Sequence, residues 1–86
     1  MDIQDGKYYT DGDVFCLAKK SISSFSHLYG SGIRKSSRMQ ASNNSFMIET
    51  TNILRLCTLG EINWVNSCNE SQKYLPYKEE IYHEIY

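Results

Sequence analysis

Lys7-Tyr8-Tyr9-Thr10-Asp11-Gly12-Asp13-Val14-Phe15-Cys16-Leu17-Ala18 decides how the rest of the chain is read. Two β-prone runs flank an Asp-Gly pair, which supplies the positive φ that a tight hairpin turn needs, so the stretch predicts a β-hairpin. Val14 to Ala18 is apolar at every position rather than at every second one. Such a strand has no face for water and belongs inside a sheet covered on both sides.

Downstream of this hairpin the pattern changes. After Lys19-Lys20, the apolar residues Ile22, Phe25, Leu28 and Tyr29 recur every three to four positions, and Gly30 follows. That spacing predicts a short helix over about 20–29 with Gly30 as its left-handed C′ residue, although its serines are mediocre helix formers. Gly30 onward then reads as a loop entering a strand at about Arg34–Ala41. Ser42-Asn43-Asn44 reads as a turn, because Asn tolerates the left-handed region and bonds its own backbone. Ser45 to Thr51 is the expected return strand of a second hairpin.

Ile53 to Cys57 reads as a further strand. Thr58-Leu59-Gly60-Glu61 is a capping-box pattern, in which the Thr hydroxyl and the Glu carboxylate each satisfy a first-turn donor. With Ile62, Val65 and Cys68 at helical spacing and Trp64 beside them, it predicts a helix over about 59–71. Pro76 suits the first turn of a last short helix, whose apolar side would be Tyr77, Ile81, Tyr82, Ile85 and Tyr86. The expected fold is α+β: a small, mainly antiparallel sheet of about four to five strands, built on two hairpins and packed with two to three short helices. Residues 1–86 are read as a single domain.

Composition limits what such a domain can do. A chain of 86 residues buries only roughly 60–65% of the surface its unfolded form exposes. Seven tyrosines, three phenylalanines and one tryptophan therefore supply much of the core, since each ring buries on the order of 150–250 Å². A thin core rich in amphipathic rings also points to a homo-oligomer. Cys16, Cys57 and Cys68 are odd in number and widely spaced, which fits buried thiols rather than a disulfide framework or a C-x-x-C metal motif. The acidic start Met1-Asp2-Ile3-Gln4-Asp5-Gly6 has no apolar core of a secretory leader. No apolar run approaches the ~20 residues of a membrane helix. The expected setting is cytoplasmic.

The formal net charge of −1 hides a division. Residues 1–13 and 49–86 are each acidic, whereas 14–48 carry Lys19, Lys20, Arg34, Lys35 and Arg38 with no acid. Folding of one segment onto another would neutralise much of this; a basic face for an anionic partner is the functional alternative. Tyr29-Gly30-Ser31-Gly32-Ile33-Arg34-Lys35-Ser36-Ser37-Arg38 concentrates the residue types that hold phosphate. Glycine lets backbone N–H groups approach, serine donates, and arginine forms a planar fork. Its spacing matches neither G-x-x-x-x-G-K-[ST] nor G-x-G-x-x-G, and a solvated loop beside an edge strand has the same composition. The candidate ligand-binding set is Lys19, Lys20, Tyr29, Ser31, Arg34, Lys35 and Arg38, with Tyr8, Tyr9 and Tyr29 as candidate stacking rings beside the cations.

His27 and His83 are the only imidazoles. No Asp or Glu lies near His27 in sequence to orient it as a base, and no spacing pairs it with Cys16, Cys57 or Cys68 as nucleophile or metal partner, so no catalytic residue, metal or cofactor is expected. The C-terminal run Tyr74 to Tyr82 is acidic and aromatic, suited either to docking on a basic partner or to packing on its own sheet. Low Ala and Pro with abundant Ser, Asn, Ile, Tyr and Lys fits coding by an AT-rich genome, as in phage, viral and plasmid accessory genes. The function expected is that of a small non-enzymatic binding or inhibitor protein. It would act by occupancy, sequestering a phosphate-bearing small molecule or blocking a host protein. The alternative is a nucleic-acid-binding module using the basic segment. Five cations between acidic ends are few for a duplex, so such binding would be weak at physiological salt.

Overall fold

The computed structural model of the chain describes residues 3–18, 27–49, 51 and 53–82. Five strands, β1 (Tyr8–Thr10), β2 (Val14–Ala18), β3 (His27–Arg34), β4 (Met39–Glu49) and β5 (Arg55–Leu56), precede a helix α1 (Leu59–Ser71) and a single-turn α2 (Glu79–Tyr82). The strands form one antiparallel sheet in the order β4-β3-β2-β1-β5. The mainly antiparallel sheet is as expected, and helix is the smaller part of the described residues.

The first hairpin forms as its sequence dictates. Tyr8 pairs with Leu17 and Thr10 with Phe15, and Gly12 turns the chain at φ +103°. The Asp11 carboxylate accepts from the Asp13 and Val14 N–H groups, both at 3.0 Å, and the Thr10 hydroxyl oxygen accepts from Gly12 N–H. β2 is the middle strand and contributes to both faces. Val14, Cys16 and Ala18 join Ile3, Tyr9, Leu28, Phe46 and Ile48 in one buried cluster. Phe15, on the other face, joins Ile33, Cys57, Trp64, Val65 and Cys68 beneath α1. An unbroken apolar strand is what a sheet with a core on each side requires.

The second hairpin differs from its expectation in three places. His27, Leu28 and Tyr29 are strand rather than the end of a helix, and the rest of the expected 20–29 helix, with Lys19, Lys20, Ile22 and Phe25, lies outside the described residues. Gly30 to Ile33 is strand rather than loop. A Cβ on Gly30 would lie 2.6 Å from the Leu17 carbonyl oxygen, and one on Gly32 would lie 1.9 Å from that of Phe15. These glycines let β3 approach β2 closely, which a side chain would forbid. The hairpin turns at residues 35–38, between the pair Arg34–Met39, and not at Ser42-Asn43-Asn44. Those residues lie within β4, where the register passes from Gly32–Ala41 to Gly30–Phe46. Two steps on β3 face five on β4, so the irregularity that Ser-Asn-Asn signals is a bulge within one strand.

The C-terminal half follows its local signals closely. Thr58 is the N-cap, its hydroxyl accepting from Glu61 N–H while the Glu61 carboxylate accepts from Thr58 N–H, which is the full capping box. The Glu61 carboxylate also receives both guanidinium nitrogens of Arg55, at 2.8 and 2.9 Å. The helix ends at Gln72 in the left-handed region, φ 56°. The last helix begins at Glu79, three residues after Pro76, with Ile81 exposed rather than packed. Tyr77 and Tyr82 do turn inward, their rings stacked at 5.9 Å; Ile85, Tyr86 and His83 lie outside the described residues. Among the described residues no helix is long and apolar enough to cross a membrane.

Candidate functional site

Strand alternation sends successive side chains of β3 to opposite faces, and this disperses the residues read as a phosphate site. Tyr29, Ser31 and Ile33 point to the α1 side, and Lys35 continues that side beyond the strand. Arg34 belongs to the other face, where its guanidinium lies 5.6 Å from the centre of the Phe46 ring. Ser31 is buried in mid-strand. Tyr29 is exposed but stands five positions before Arg34, about 17 Å along an extended strand. Arg38 is exposed at the end of the turn, with φ 51°.

The turn also meets an acid that sequence reading did not connect with it. Asp13 comes from the first hairpin. Its carbonyl accepts from Lys35 N–H at 2.9 Å, and its carboxylate takes Ser36 N–H at 2.8 Å and the Ser36 hydroxyl at 3.0 Å. Serine hydroxyls and turn amides are what a phosphate would use, and here an internal carboxylate holds those of Ser36. No local signal links Asp13 to Ser36, because the pairing depends on β2–β3 register.

Lys35 has an unexpected environment. Its Nζ lies 5.8 Å from the ring centre of Phe15, 5.9 Å from that of Trp64 and 5.9 Å from that of Tyr77. These distances fall within the ~6 Å range of cation–π attraction. The rings belong to a larger aromatic cluster: Trp64 meets Phe15, Tyr74 and Tyr77 edge-on. Its indole N–H donates to the Leu75 carbonyl at 2.6 Å. The expected packing of the C-terminal run against its own domain is thus realised through Tyr74, Leu75, Tyr77 and Tyr82, all packed on the α1-side cluster.

The thiols are held in their neutral form. Burial pushes Cys16 and Cys57 up to about 12 and also raises Cys68, which suits core residues rather than nucleophiles. His27 lies opposite Glu49 in the β3–β4 register, with its ring 6.3 Å from that of Tyr29. Among the described residues, no cluster of His, Cys, Asp and Glu is arranged to hold a metal.

Tyr29 and Met47 are direct cross-strand partners and are 41% and 48% exposed, beside the sheet's β4 edge. Met39, at the other end of β4, is 52% exposed. Comparison with protein-family models, curated proteins and solved structures finds no match to this chain, so the reading of function rests on the geometry.

Proposed function

We propose that this protein is a non-enzymatic binding protein acting by occupancy, and that it engages a protein surface through its β3–β4 hairpin rather than enclosing a phosphate-bearing small ligand. The observation that carries this reading is the exposed Tyr29–Met47 pair. An apolar cross-strand pair beside a sheet edge offers both side-chain area and backbone groups to an incoming chain. A second copy is one such chain. β4 is preceded by the cation Arg38 and ends on the acid Glu49, so two antiparallel β4 edges would set unlike charges together at each end. A phosphate ligand finds less support, because Arg34 and Lys35 lie toward opposite faces of the sheet and the Ser36 donors are held by Asp13.

Native mass spectrometry of the protein purified from its natural host tests the reading. The expected result is a complex with a second copy or another protein that is lost in the Tyr29→Ser, Met47→Ser double variant. It is expected to survive in the Arg34→Ala, Lys35→Ala, Arg38→Ala triple variant. A bound small phosphate ester lost only in the triple variant would reverse the assignment.

A further inference from the structure

The two edges of the sheet are not alike, and the bonding alternation of an antiparallel ladder shows how they differ. A residue bonded to one neighbouring strand turns both its N–H and its C=O that way, and the next residue turns both the other way. The Lys35 N–H donates to the Asp13 carbonyl, so in the β2–β3 register Ile33 and Ser31 face β2, while Arg34, Gly32 and Gly30 face β4. Met39, Ala41, Phe46 and, opposite Leu28, Ile48 answer from β4. Gln40, Met47 and Glu49 therefore direct both backbone groups outward, where among the described residues no strand lies. The far edge is guarded. Cys57 N–H donates to the Tyr8 carbonyl, which leaves Leu56 as the outward residue of β5. The Arg55 guanidinium, clamped on Glu61, donates to the Leu56 carbonyl at 3.2 Å.

Taking the β3–β4 hairpin as the contact surface, a choice that rests on the function proposed above, we infer that β4 pairs antiparallel with β4 of a second copy. This closes a two-fold dimer whose sheet continues from one chain into the other. The open edge is complementary to its own reverse: exposed Arg38 precedes it and exposed Glu49 ends it, so a two-fold axis sets Arg38 of each copy beside Glu49 of the other. In this register Gln40 of one copy faces Glu49 of the other. The bulge at 42–45 falls at the axis, between two short paired runs. The half-exposed Tyr29–Met47 pair adds apolar area beside each run. A β4–β5 contact would instead be head-to-tail and would add copies without closing, and the Arg55 clamp on the short β5 edge opposes it.

Light scattering on the full, unaltered chain is expected to give the mass of two copies. Hydrogen exchange should show the Met47 and Glu49 amides protected at high protein concentration and fast on dilution. Met47→Pro removes an outward N–H without touching a β3–β4 bond, and the two-fold axis counts the loss twice, so the dimer dissociation constant should rise at least ~10-fold. Leu56→Ser, on the other edge, should leave it unchanged. Arg38→Glu and Glu49→Lys should each weaken the dimer about 3-fold, and the chain carrying both should regain it, because cation and acid still meet across the axis. A chain that stays monomeric at about 1 mM overturns the inference, as does a dimer in which both amides exchange freely. Species that keep growing with concentration and are lost in Leu56→Ser overturn it in favour of a β4–β5 contact. A monomer that still forms the Tyr29- and Met47-dependent complex with another protein overturns this occupant and leaves the contact surface standing; a monomer with no such complex overturns both.

Discussion

The turn at Asp11–Asp13 is held by its own residues, through the Asp11 carboxylate, the Thr10 hydroxyl and the positive φ of Gly12, whereas the turn at 35–38 is held from another hairpin, through Asp13. Two aspartates divide the modes: Asp11 organises the turn it sits in, and Asp13, two residues on, organises a turn 23 residues away in sequence. A self-contained turn needs only local chemistry and forms early at small entropic cost. A turn held from a distance forms only after β2 and β3 have paired, since loop closure must precede its bonds.

The strongest way to break the contrast is at the seam between the hairpins. Gly32→Ala places a Cβ within 1.9 Å of the Phe15 carbonyl oxygen, which is backbone and cannot swing aside. Urea titration should show a loss of about 3 kcal/mol, and the 35–38 turn should lose its amide protection along with β3. Gly12→Ala strikes the self-contained turn instead. There is open space around its Cβ, but φ +103° is strained for an L-residue, and a loss of about 1–2 kcal/mol is expected. Substitution by Asn, which tolerates positive φ better, should recover part of it.

Asp13→Ala sharpens the comparison further. It removes two hydrogen bonds to Ser36 and should cost about 1 kcal/mol. Amide chemical-shift changes should centre on Ser36 to Arg38, and Asp11→Ala should leave those residues unmoved. Uniform spreading of both perturbations over both turns would show that the hairpins are not separately organised.

The smallest effect belongs to a third local device, the α1 cap. Hydrogen bonding from Arg55, joined by donors of Thr58, holds the Glu61 carboxyl below its usual range, against a raising effect of burial. A depressed folded-state pKa means that the stabilisation is complete above the ordinary carboxylate range and is lost as pH falls through the folded value. Arg55 is half-exposed, so screening limits this to roughly 0.5 kcal/mol. Thermal midpoints measured from neutral to acidic pH should fall slightly less steeply in Glu61→Gln than in the unaltered chain.

The elements legible in the sequence are those whose cause lies within a few residues. The Asp-Gly turn, the two-faced apolar strand Val14 to Ala18, and the helix Leu59–Ser71 with its capping box each carry their reason locally. The second hairpin does not. Leu28 and Tyr29 sit at helix-like spacing, yet His27 to Tyr29 pair with β4 and Gly30 to Arg34 with β2, because pairing gives backbone groups partners and buries Leu28 and Ile33 on opposite faces. Gly30 and Gly32 read as loop residues because contact with the Leu17 and Phe15 carbonyls is invisible without β2 alongside.

The same division runs through the candidate site. Sequence alone determined that cations, serines and glycines crowd residues 29–38 between acidic ends, since composition and order need no fold to be seen. Only the tertiary structure decided what each does. Strand alternation sends Arg34 and Lys35 to opposite faces, the β2–β3 register brings Asp13 to Ser36, and the packing of α1 and of the segment that follows it brings Trp64 and Tyr77 within 5.9 Å of the Lys35 ammonium. Charge is a property of a residue, but direction and company are properties of the chain's path.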